Sequence, residues 1–174
     1  MPTPHNEYFI QKHRIPVVLA LVTGERLSGH LFTQASHRGL SALEDAPEYL
    51  NGADRFLPLG LGERARLIAK AHILSAETSR EHVAATDTYG LPVRVAVTMV
   101  NGAVHEGQIV VEQVVAHMRV LDHLNHATEH FISLFGVDRV TLLNRDHIAF
   151  VEQMEQPDQA EQAETVERAD DGAA

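Results

Sequence analysis

An internal repeat constrains this chain more than any other feature of its sequence. "IPVVLALVTGERLSGHLF" begins at Ile15, and "LPVRVAVTMVNGAVHEGQIVV" begins at Leu91. Both open with an aliphatic residue, proline and valine. Both reach a turn glycine, Gly24 or Gly102, and each has a second glycine five residues later, Gly29 or Gly107. Downstream, "YLNGADRFLPL" faces "HLNHATEHFISL", and "ARLIAKAHILSAE" faces "VTLLNRDHIAFVE". Phe56 and Phe131, His72 and His147, Ile73 and Ile148, and Glu77 and Glu152 are all 75 positions apart. Such self-similarity points to duplication of one supersecondary unit. The chain has 174 residues, so each copy is small and would be marginal alone.

Each copy reads as strands. Val93, Val95, Val97 and Met99 alternate with Arg94, Ala96, Thr98 and Val100, which suits a half-buried strand. Asn101-Gly102 is a hairpin signal, since both residues tolerate positive φ. Val104 to Val111 returns as the partner strand, where Gly107 is expected to permit a sharp bend or bulge. Three shorter strands follow at Phe131–Phe135, Val140–Leu143 and Ile148–Val151, separated by polar turns. The first copy mirrors them at Phe56–Leu59, Ala65–Ile68 and Ile73–Ser75. "SALEDAPEYLN" can hold a helical turn shortened by Pro47. "VVAHMRVLDHLN" reads either as a strand continuation or as a short helix. Five strands with short turns suggest a small barrel, because closing the sheet hides its edges.

The expected organisation is an extension at 1–13, copy 1 at 14–77, a linker at 78–90, copy 2 at 91–152 and a tail at 153–174. The polar linker "TSREHVAATDTYG" can let the copies pack together or swing. From Glu152 onward there are eight acids and one base, a net -7 of the formal -10, which leaves -3 for residues 1–151. The Gln-, Glu- and Ala-rich tail has too little apolar surface to offset its ordering entropy, and a disordered acidic tail is expected. The mildly acidic body disfavours a basic nucleic-acid platform. No cysteine is present, which removes disulfides, thiolate metal sites and cysteine nucleophiles. No run reaches signal-peptide or membrane-span length, so a cytoplasmic location without membrane contact is expected.

Each copy resembles an Sm-like (LSm) domain, the small five-stranded SH3-like barrel of RNA-associated rings. The likeness rests on the strand, glycine turn and strand at the start. It also rests on the triplets Tyr49-Leu50-Asn51 and His123-Leu124-Asn125, which resemble the Tyr/His-Met-Asn of the first Sm motif. "LLNRDHIAFVE" resembles the second motif, although Asn144-Arg145, and Ala69-Lys70 in copy 1, stand where that motif has Arg-Gly. The resemblance implies an all-β fold of two tandem five-stranded barrels. It also implies association through strand edges. For RNA it implies stacking of a base on Tyr49 or His123 and hydrogen bonding by Asn51 or Asn125. Lys70, Asn144 and Arg145 complete the candidate partner or RNA sites.

One other pattern looks like chemistry. His126, Glu129 and His130 spell H-x-x-E-H, and His123, His126 and His130 would share a face of a helix, where they could ligate zinc beside a Glu base. The first copy has "GADRF" there, with no histidine, so a polar loop leading into the Phe131 strand is expected instead. His72 and His147 read as turn residues at the barrel end. No G-x-S-x-G, P-loop or Rossmann pattern occurs. The expected function is therefore a non-catalytic assembly or adaptor protein without a cofactor, binding protein partners and self-associating. Single-stranded RNA binding is the alternative, and a metal-dependent hydrolase using His126, Glu129 and His130 is the third reading.

Overall fold

A computed structural model describes residues 13–33, 44–84, 90–112 and 120–154. The tail from 155 onward, most of the expected extension and residues 85–89 of the expected linker lie outside that range. The described chain is all-β, with short helices at the same point of each half.

The first half contains β1 (His13–Leu21), β2 (Arg26–Thr33), α1 (Ala46–Asn51), β3 (Phe56–Leu61), β4 (Arg64–Ala69) and β5 (Ile73–Ser79). The second contains β6 (Gly90–Met99), β7 (Val104–Glu112), α2 (Val120–His126), β8 (Phe131–Phe135), β9 (Arg139–Asn144) and β10 (Ile148–Gln153). All ten strands join one sheet in the order β10-β6-β7-β8-β9-β5-β1-β2-β3-β4. Fifth, first, second, third and fourth strand therefore follow one another twice. Even the irregularities repeat. Leu21 pairs Ile73 and Ala20 pairs Ser75, which leaves Leu74 as an extra residue; Met99 pairs Ile148 and Thr98 pairs Phe150, which leaves Ala149.

Local sequence explains most of these elements. Alternation along β1 buries Ile15, Val17, Leu19 and Leu21, while β6 buries Val95, Val97 and Met99. Asp45 caps α1 by accepting from the Glu48 N–H at 2.8 Å, and Pro47 sits in the first turn, where its missing N–H costs nothing. In the hairpin at Asn101-Gly102 only the glycine takes positive φ, +84°. Asn101 instead accepts from the Ala103 N–H through its side chain, at 3.0 Å.

Gly107 makes no bulge. The β6–β7 register runs without interruption from Gly90–Glu112 to Thr98–Val104. Its smallness serves close approach: a Cβ there would lie 2.8 Å from both Leu134 Cγ and the Phe135 carbonyl oxygen on β8. Gly107→Ala should therefore cost about 1–3 kcal/mol, the usual range for overpacking a tight site. Chemical denaturation of the variant against wild type measures it.

The two halves keep separate cores but exchange side chains across the seam. β5 pairs antiparallel with β9 from Ser75–Leu143 to Ser79–Arg139. Phe131, Val140 and Leu142 of the second half complete the core beneath β1 and β2, and Leu74 of the first half enters the core of the second. The freedom to swing that a polar linker would allow is thus not used.

Candidate functional site

The polar residues singled out by the sequence gather around the β5–β9 seam and at the ends of α1 and α2. Asn51, the last residue of α1, reaches across the seam. Its Nδ2 donates to the Phe131 carbonyl at 3.0 Å, and its Oδ1 accepts from the Phe131 N–H at 2.8 Å. The side chain thus imitates a neighbouring strand. Asn144 is buried and donates from Nδ2 to the Ile73 carbonyl at 2.9 Å, while its Oδ1 accepts from the Asp146 N–H at 3.1 Å. His147 Nε2 lies 2.7 Å from the Ala71 carbonyl oxygen. Arg139 pairs with Glu77, and the Arg80 N–H donates to the Asp138 carbonyl at 3.2 Å. Apart from the local bond to Asp146, each of these contacts joins one half to the other.

Lys70 and Arg145 act within their own halves. Lys70 Nζ donates to the carbonyls of Tyr49 and Gly52 at 3.0 and 2.9 Å, which anchors the end of α1, and lies 5.9 Å from the Tyr49 ring centre. Burial pushes the Lys70 ammonium below its ordinary pKa, against the pull of Asp54 and Glu44. Burial also raises the Tyr49 phenol, helped by Glu44 and Asp54. Arg145 donates to the Leu124 and Ala127 carbonyls, capping the end of α2 in the same way. Arg145 thus fastens a helix end, as Lys70 does in the first half.

Tyr49, Asn51, Lys70 and His123 line an open cleft of about 930 Å³ between the two helices. Glu44, Asp45, Glu48, Asp54 and Glu129 also line it, so its rim is acidic. Asn125 is not among the lining residues and is exposed. α2 ends at His126, so Glu129 and His130 do not continue its face. His126 Nδ1 lies 2.7 Å from the Asp122 carbonyl oxygen, and His130 lies 3.6 Å from Asp146. Among the described residues, no group of three or more His, Asp or Glu side chains is placed to hold a metal ion. No helix among them is long and apolar enough to cross a membrane.

The residues with the clearest binding geometry lie elsewhere, on the two outer strands and beside them. Leu67 on β4 is 72% exposed, whereas Leu142, its counterpart 75 positions on, is fully buried in the seam. Phe56 is 57% exposed and its counterpart Phe131 only 3%. Phe150 on β10 is 54% exposed, while its counterpart Ser75 is buried. Motif spacing does not single out Leu67 or Phe150. Apolar side chains on two strands that end the sheet are the signal for them.

His105 on β7 is half-buried and feels charges from the first half. Burial lowers its pKa from 6.5, Glu77 opposes that shift and Arg26 reinforces it. A histidine with a lowered folded pKa binds fewer protons than the unfolded chain, so stability increases with pH. Its contribution is complete above pH 6.5, erodes as the pH falls through that value and levels off beneath the lowered folded pKa. His105→Gln should flatten part of the fall in thermal midpoint between pH 7.5 and 5 (about 6.5 being the unfolded value). The effect is modest, since the ring is only half-buried.

No protein-family model matches the chain, and neither a curated protein nor a solved structure matches it.

Proposed function

We propose that this is a non-catalytic assembly protein: two small Sm-like five-stranded barrels joined edge to edge, which associate with further copies head to tail through their free edges. The contrast between the inner and outer edges carries this reading. Inside the chain, the fifth strand of one half pairs with the fourth strand of the other. At the ends of the sheet stand the remaining fourth strand, β4, and the remaining fifth strand, β10. Each keeps exposed an apolar side chain whose repeat counterpart is buried where a partner exists. An unpaired strand edge offers a row of N–H and C=O groups, and strand addition satisfies them. Because β4 and β10 differ, the contact is heterologous and generates a ring or an open fibre.

Charge supports the same pairing. The Glu77–Arg139 ion pair spans the inner seam. The counterparts at the outer edges are Glu152 and Arg64, both exposed, whereas Arg66, two residues along, is held by Glu25 at 2.9 Å. The acidic cleft and the commitment of Asn51 to Phe131 favour protein over RNA as the partner.

Light scattering of native protein should give a mass of several 19.2 kDa chains that falls on dilution. Arg64→Glu should shift it to the single chain, and adding Glu152→Arg should bring the larger species back. A wild-type chain that stays single up to millimolar concentration would sink the proposal.

A further inference from the structure

Taking that head-to-tail reading as its basis, we infer that Asn125 of one chain clamps the backbone of Phe56 in the next, with the Phe56 ring seated against α2, and that this sets one register for the assembly. The inner clamp is the pattern. Asn51 ends α1 and bonds both backbone groups of Phe131, whose ring is buried in the first core beside Leu50. α1 is well covered there, with Ala46 and Leu50 buried.

At α2 the same parts are present and one is missing. Asn125 follows Leu124 as Asn51 follows Leu50, but Asn125 is exposed and makes no hydrogen bond through its side chain among the described residues. Leu124 is only partly buried, Leu121 is 63% exposed and no residue of α2 is fully buried. Among the described residues, the core that Leu124 packs against holds no phenylalanine, the residue that a following fourth-strand edge would bring. Phe56 is that residue. It sits opposite Ala69 on β4 as Phe131 sits opposite Asn144 on β9. The adjacent bonds match too: Lys70 N–H donates to Arg55 O as Arg145 N–H donates to His130 O. The N–H and C=O of Phe56 therefore have the placement that Asn51 recognises in Phe131. Continuing the inner register by 75 positions puts Gln153 opposite Ala65 of the next chain, as Thr78 is opposite Val140.

The absence of cysteine makes the register directly testable. Facing residues of an antiparallel pair have Cα atoms about 4.5–5.5 Å apart, within disulfide reach. A chain carrying Ala65→Cys and Gln153→Cys should oxidise to a ladder of linked chains, whereas Ala65→Cys with Glu152→Cys should link poorly. Asn125→Ala and Phe56→Ala should each weaken association about tenfold or more, the loss of two hydrogen bonds or one buried ring. Their thermal midpoints in dilute solution should be unchanged. Association that survives both substitutions, or equal linking by the slipped pair, overturns the clamp while leaving edge association intact. A wild-type chain that never associates removes both.

Discussion

Leu142→Ala is expected to lower the stability of the folded chain by about 2–5 kcal/mol, the range for emptying a fully packed leucine site. Leu142 is fully buried where β9 meets β5, within the core of the opposite half. Leu67→Ala, at the repeat counterpart, is expected to change the stability of dilute single chains by less than about 0.5 kcal/mol, as exposed sites do. Chemical denaturation at low protein concentration measures both. A concentration series should then bring the two variants closer together. Leu67→Ala removes apolar surface from the free edge and should weaken association, so its stability loss should emerge only as the protein is concentrated. Equal losses in dilute solution would mean that β4 is already covered within the single chain.

Asn51→Ala should be nearly as damaging, at about 2–4 kcal/mol, although it removes only one amide. The substitution leaves the N–H and the C=O of Phe131 without partners at a residue that is 3% exposed, and each unpaired buried group costs about 1–3 kcal/mol. Asn51→Asp keeps an acceptor for the N–H but sets a carboxylate against the carbonyl, and should cost as much. Amide hydrogen exchange gives a local readout: protection of Phe131 should fall furthest in both variants. Unchanged protection there would show that the β5–β9 ladder holds the seam without the asparagine.

The fate of Asn51 separates two uses of one residue type. On the Sm-like reading proposed above, the corresponding asparagine would read a base. Here its donor and acceptor are both satisfied by protein backbone, and the lysine and arginine of the candidate site hold helix ends. The polar residues expected at a binding surface are largely spent on joining the two halves or fastening their helices. Asn125 is the exposed member of the set, while Tyr49 and His123 line the open cleft.

The strands and turns were legible in the sequence because they depend on neighbours along the chain. Alternation at a period of two marks β1 and β6, and the Asn-Gly turn sets their hairpin partner in the second half. The repeat spacing was legible for the same reason, and with it the kinship of Phe56 with Phe131 and of Glu77 with Glu152. The seam was not. Each copy offers the same kinds of edge, so nothing in the local pattern says which fourth strand meets which fifth. That choice depends on pairing between residues sixty or more positions apart, such as Ser75 with Leu143. The role of Gly107 was also hidden, because a glycine needed for a bulge and one needed for a passing leucine look alike in sequence. Sequence by itself therefore determined the repeated strands and their turns. Only the tertiary structure decided which repeated edge is buried and which is left open, because burial depends on what the rest of the chain places against it.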